Sequence, residues 1–276
     1  MIKTWNLTDT ELDVRWCELS GQRNLPRPLY YTTRIVTDAE YQREVRFVSE
    51  QLKGKLDASF DAALSIMIDP DVRVGIHGFD GREPRNAAAR IRVAAARKWE
   101  RCVVITQIPG ETIYHSGGYV VRECYATELA RMLAEQLPEM DAGRQGRVEL
   151  ADVEDQSFDD EWSDPDYRGV AERSEAFRSA PATTVGLFEI EQGSSRFGPR
   201  GVSRRILEWR DLVDDGRYVI DDNRTVAVPA DRDQLRVMIN NGIGTIIGMI
   251  EDETGVGGSL RSVSDSGRVS VTEESW

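Results

Sequence analysis

Twice along this chain an alternating run leads through further strands into a closing helix. This doubled order constrains the fold more than any single motif. In the first run Val72, Val74 and Ile76 alternate with Arg73, Gly75 and His77, the period of two that turns one face of a strand toward a core. Asp80-Gly81 is a hairpin turn signal, because glycine tolerates the positive φ of a type I′ turn. Residues 89–96, 101–108 and 111–116 read as further strands, Pro109-Gly110 as the last turn, and 125–137 as a helix stopped by Pro138. The second run has strands at 183–191, 202–209, 216–221 and 225–228. Pro229 and Asp231 then open a helix with Leu235, Met238 and Ile239 on one face.

The two runs align. "VGI" at 74–76 falls on "VGL" at 185–187 with an offset of 111, Gly81 on Gly193 with 112, and Arg90 on Arg204 with 114. In that register "RYVI" (217–220) is the counterpart of "CVVI" (102–105). The closer-looking "GYVV" (118–121) would need an offset of 99. We read an internal duplication. The fold class is α+β, a pseudo-twofold arrangement of two related antiparallel sheet-plus-helix halves, with two related sheets joined by an acidic linker. The domain covers 1–253, its halves about 1–150 and 167–253, the linker 151–166, and a tail 254–276.

Ahead of the first half the period is helical. Thr8 with Glu11, and Thr37 with Glu40, are capping-box pairs. Leu12, Trp16 and Leu19 share one face; Tyr41, Val45, Val48 and Leu52 form a second stripe; 57–68 is a third helix with Phe60, Leu64 and Met67 inward. Between the first two, "LPRPL" (25–29) has two prolines that hold the chain extended, a rigid crossing. Eight of the fifteen residues 152–166 are Asp or Glu, with no basic residue. That is a solvated linker; the spacing of an EF-hand Ca²⁺ loop is missing. The tail has ten Gly or Ser in 23 residues and no core pattern, the composition of a disordered segment.

The 276 residues carry 48 Asp and Glu against 35 Lys and Arg, a net charge of −13. This argues against nucleic acid and against an anionic membrane surface as partners. No apolar run approaches the ~20 residues of a membrane span, and the N-terminus turns acidic too early for a signal peptide. The expected location is the cytoplasm. Cys17, Cys102 and Cys124 form no CxxC and no paired spacing, so reduced, structural thiols are expected.

Chemistry-bearing groups are sparse. The two histidines, His77 and His115, read as exposed strand residues, and His115 and Ser116 point to opposite faces. No metal site and no cofactor are expected. Gly242, Gly244 and Gly248 imitate a nicotinamide-cofactor fingerprint, but no second strand follows them; they read as glycines that let the last helix pack closely or kink. Glu189 and Glu191 share one strand face. Salt-bridging to Arg204 and Arg205 is the plain reading, and carboxylate catalysis is the enzyme alternative. Arg204, Arg205, Trp209 and Arg210 combine the residue types of interface hot spots, though a soluble sheet margin or a self-association module uses the same types.

The second half resembles the EspG family, cytosolic proteins linked to type VII secretion in actinobacteria. The resemblance is carried by "RRILEWRDLVDDGRYVI" (204–220) and "VAVPADRDQL" (226–235), with Gly-Arg-Tyr followed by Pro-Ala-Asp as its most specific part. "LPRPL" and "RIRVAAARKWERCVVITQIPG" (90–110) resemble the family's first half. The resemblance implies a non-enzymatic chaperone that grips the apolar tip of a PE–PPE-type secretion substrate. On that reading Trp209, Leu235, Ile239 and Ile243 are the expected apolar anchors, with Arg204 and Arg205 at the rim.

Overall fold

The alternating residues build strands that join into one sheet. In this computed structural model, which describes residues 3–151 and 165–255, the strands are β1 (Thr4–Leu7), β2 (Val72–Asp80), β3 (Ile91–Lys98), β4 (Arg101–Pro109), β5 (Ser116–Tyr125), β6 (Val148–Glu149), β7 (Ala182–Gln192), β8 (Arg204–Leu212), β9 (Arg217–Ile220) and β10 (Val226–Pro229). Their order is β1-β5-β4-β3-β2-β7-β8-β9-β10-β6, and each neighbouring pair is antiparallel. The expectation of two sheets is thereby corrected. Residues 72–80 pair with 192–184, so the edges that two separate sheets would leave open close on each other. From that central pair, β3, β4 and β5 follow outward on one side and β8, β9 and β10 on the other.

Among the described residues six α-helices pack around the sheet: α1 (Asp9–Ser20), α2 (Asp38–Lys55), α3 (Ala58–Ile68), α4 (Ala126–Ala134), α5 (Pro165–Ser179) and α6 (Arg232–Thr254). Thr8 caps α1 in a full capping box with Glu11, and Asp231 caps α6 in one with Gln234. On one sheet face α4 and α6 bury Val74, Ile76, Val104, Phe188, Ile190, Leu207 and Trp209. On the other, α1 and α3 bury Ala94, Ala96, Val103, Ile105, Tyr119 and Val121. α2 packs outside α1 through Val48 and Leu52. α5 lies on this second face at the opposite end, with Phe177 edge-on to Tyr218 at 5.3 Å.

Several local expectations shift. Asp80-Gly81 is no tight hairpin: ten residues separate β2 from β3, and Gly81 has no positive φ. Its missing Cβ instead admits the Ala182 carbonyl oxygen, 2.6 Å from where a Cβ would stand. Residues 111–115 form a loop, and the strand expected there runs through Ser116–Tyr125, including "GGYVV". Cys102 and Cys124, far apart in sequence, stand directly opposite each other on β4 and β5, both buried. α6 extends one residue past the expected boundary and ends at a left-handed Gly255. The bulk of the acidic linker (152–164) and the tail from 256 lie outside the described residues.

Candidate partner-binding face

Antiparallel neighbours stand opposite one another, so the sheet reads in rows of touching side chains. On the face that carries α1, α3 and α5, four rows cross the centre: Phe79–Val185–Arg210, Arg92–His77–Leu187–Glu208, Ala94–Gly75–Glu189–Ile206, and Ala96–Arg73–Glu191–Arg204. α5 reaches the first row through Phe177, beside Val185 and Arg210; among the described residues no helix sits over the part of β2, β7 and β8 that holds Leu187, Glu189 and Ile206. Leu187 and Ile206 are half-buried and belong to none of the core clusters. The extended segment around "LPRPL" walls the face on one side, with Pro28 Cδ 3.4 Å from where a Cβ on Gly75 would stand. Two cavities open here. One of about 710 Å³ is lined by Tyr30, His77, Arg92, Leu187 and Glu189, and one of about 390 Å³ by Arg27, Gly75, Glu189, Glu191 and Arg204.

Glu189 and Glu191 both meet Arg204, Glu189 at 2.9 Å from its Nη1. Burial, and then the neighbouring Glu191, push the Glu189 carboxyl above its ordinary range. Arg205 points to the α6 side, opposite Ile190, and bridges Asp222 at 2.8 Å. His77 is half-buried in the floor, which corrects its reading as exposed. Burial and the cations Arg90 and Arg92 hold its imidazole below the usual value. His115 sits in the loop before β5, its Nδ1 2.7 Å from Thr112 Oγ1. Among the described residues no group of three or more His, Cys, Asp and Glu is placed to hold a metal ion.

The four expected apolar anchors are core residues. Trp209, Leu235, Ile239 and Ile243 are at most 3% exposed and pack between α6 and the sheet. Trp209 lies in the slot left by Gly78 and Gly186, where a Cβ would come within 2.7 and 2.4 Å of its ring. Periodicity identifies these residues as one face of an element and does not say which layer covers that face.

The Gly-Arg-Tyr and Pro-Ala-Asp signatures meet in one structural knot. Gly216, at φ 156°, admits the carbonyl oxygens of Asp141 and Ala142, 2.7 Å from where its Cβ would stand. Arg217 is fully buried and forks onto Asp211 with contacts of 2.6 and 2.8 Å, while a third bond goes to the Pro138 carbonyl. The Tyr218 hydroxyl donates to Asp215 and accepts from the Gln145 amide. The Ala230 amide donates to the Arg217 carbonyl, one residue before the Asp231 cap of α6. These motifs tie the 138–145 crossover, β9 and the start of α6 together.

Comparison with known proteins assigns this architecture. The EspG family model matches residues 8–241, and the chain belongs to that family. No curated protein matches the sequence. Among solved structures the fold is similar to the Mycobacterium tuberculosis type VII secretion system chaperone EspG5, solved in complex with the PE25–PPE41 dimer. The identity is 14%, the TM-score 0.54, and the match covers 90% of this chain and 96% of that one. No described helix is long and apolar enough to cross a membrane.

Proposed function

We propose that this chain is a cytoplasmic, non-enzymatic chaperone of a type VII secretion system, which holds a PE–PPE-type substrate before export on the open face of β2, β7 and β8. The observation that carries the reading is that face itself. It is a sheet surface with half-buried Leu187 and Ile206 and no helix above it among the described residues, in an EspG-family chain whose fold resembles a chaperone solved with a PE–PPE pair. A layered domain covers both faces of a sheet; a helical tip from a partner completes the missing layer. Burying one such aliphatic side chain contributes roughly 1.5–3 kcal/mol. The docking surface therefore moves from the expected anchors to the residues in front of them. Arg204, 54% exposed, stands at its rim, while Trp209, Leu235, Ile239 and Ile243 support it from behind. Co-expression with the PE–PPE pairs of the same genome, followed by purification on a tag carried by this chain, tests the reading. A stable ternary complex with one pair is expected; failure of every pair to co-purify contradicts it.

A further inference from the structure

We propose that Arg92, backed by Arg90, is an anion seat in the floor of the open face that receives a carboxylate, the Asp or Glu side chain of the docked partner protein. The proposal rests on the docking reading above and names the chemistry that the partner brings. Arg92 is only 7% exposed, and its guanidinium stacks 4.5 Å above the Tyr30 ring. Its Nε is buried without a hydrogen-bond partner, and among the described residues no carboxylate reaches it. Arg90 is in the same position. Its Nε is also unpartnered, its Nη2 donates to the Pro84 carbonyl at 2.6 Å, its Nη1 lies 3.3 Å from His77 Nε2, and its guanidinium sits 5.1 Å above Phe79. By contrast, the buried Arg217 has a carboxylate of its own. A cation taken out of water without an acid is costly, and an unpaired buried N–H calls for a ligand. Burial and the charge of Arg90 both work against the Arg92 cation; an incoming anion relieves both.

The surroundings choose the anion. Arg92 lines the 710 Å³ cavity together with Tyr30, His77 and Leu187, but also with Asp13 and Glu189. Two resident acids repel a dianionic phosphate more strongly than a single carboxylate, whose planar oxygens match a guanidinium fork. The other source of a carboxylate is the chain's own acidic stretch, 152–164, and the experiment separates the two.

Heteronuclear NMR of the guanidinium Nε–H groups of the full chain tests the seat, with the Arg92 signal identified by its loss in Arg92→Lys. The probes are N-acetyl-L-glutamate methylamide and its neutral glutamine counterpart. The acidic probe is expected to move the Arg92 signal saturably, and the neutral one to bind about tenfold more weakly or not at all, the scale of one charge-assisted hydrogen bond. No movement, equal movement by both, or displacement of the acidic probe by inorganic phosphate at equal concentration overturns the proposal. The titration is repeated with the acids of 152–164 changed to amides, and with the chain ended at Gly255. Unchanged probe affinity supports the partner as donor; a gain of about tenfold in either shows that the chain fills its own seat, and overturns it. None of these arms uses a secretion substrate, so their failure is separable from failed co-purification.

Discussion

At the scale of single residues, the signatures that mark the family serve stability. Arg217 and Asp211 are both fully buried and bonded to each other. Arg217→Ala leaves the Asp211 carboxylate buried and unmatched, and is expected to cost about 3–5 kcal/mol in urea unfolding; replacing both partners with apolar residues of similar volume recovers most of that loss. Trp209 behaves likewise. With its ring packed against Phe188 at 5.2 Å and in the Gly78–Gly186 slot, Trp209→Ala is expected to cost about 3–5 kcal/mol, so any loss of partner binding follows loss of fold. The thiols separate in the same way. Cys17 is exposed, whereas Cys102 and Cys124 are buried free thiols, and hydrogen bonding to Cys124 together with burial pushes the Cys102 thiol up. A thiol reagent is expected to consume one equivalent quickly and the other two only in denaturant; three fast equivalents contradict the cross-strand placement.

At the scale of elements, what could be read from the sequence was what is local. The caps at Thr8 and Asp231, the helices α1 to α3, the alternation of β2 and the strand runs of β4, β7 and β8 all depend on neighbours within a few residues. β1 was missed because four residues carry too little period, and it exists through pairing with Val121 and its neighbours, more than a hundred residues away. β5 lies beyond the expected 111–116 because Gly117 and Gly118, residues of low strand propensity, sit inside the strand, where the Leu7 carbonyl oxygen lies 2.8 Å from the place of a Gly118 Cβ. The burial of Trp209 and the isolation of Arg92 were illegible for one reason: alternation says that two faces differ, not which face a helix will cover. The α6 glycines carry a graded test. A Cβ on Gly242 would stand 2.6 Å from Ile190 Cδ1, while one on Gly244 meets nothing within 4 Å. Gly244→Ala is therefore expected to stabilise by about 1 kcal/mol through helix propensity, and Gly242→Ala to lower the melting temperature.

At the scale of the whole molecule, α4 and α6 cover one sheet face through its centre, while on the other face the described helices leave the centre open, where the floor holds His77 between Arg90 and Arg92. The folded pKa of His77 lies below its unfolded value near 6.5. Its contribution to stability is thus present above that pH and is lost as the pH falls toward the folded value, because the unfolded chain takes up the proton first. His77→Gln is expected to flatten the fall in melting temperature below neutrality; an unchanged pH profile contradicts the buried, cation-flanked placement.

The open face itself is tested most directly by the affinity of the purified chain for whichever PE–PPE pair the co-expression experiment yields, measured for two surface variants of matched chemistry. Leu187→Arg with Ile206→Arg places charge in the floor of the face, and Val237→Arg places it on the exposed side of α6, where Val237 is 50% exposed. The account predicts that the first variant keeps its melting temperature and loses about a hundredfold or more in affinity, as expected for two buried charges without partners, while the second binds as the parent does. Loss of binding in Val237→Arg with full binding by the floor variant would place the partner on the opposite side of the sheet.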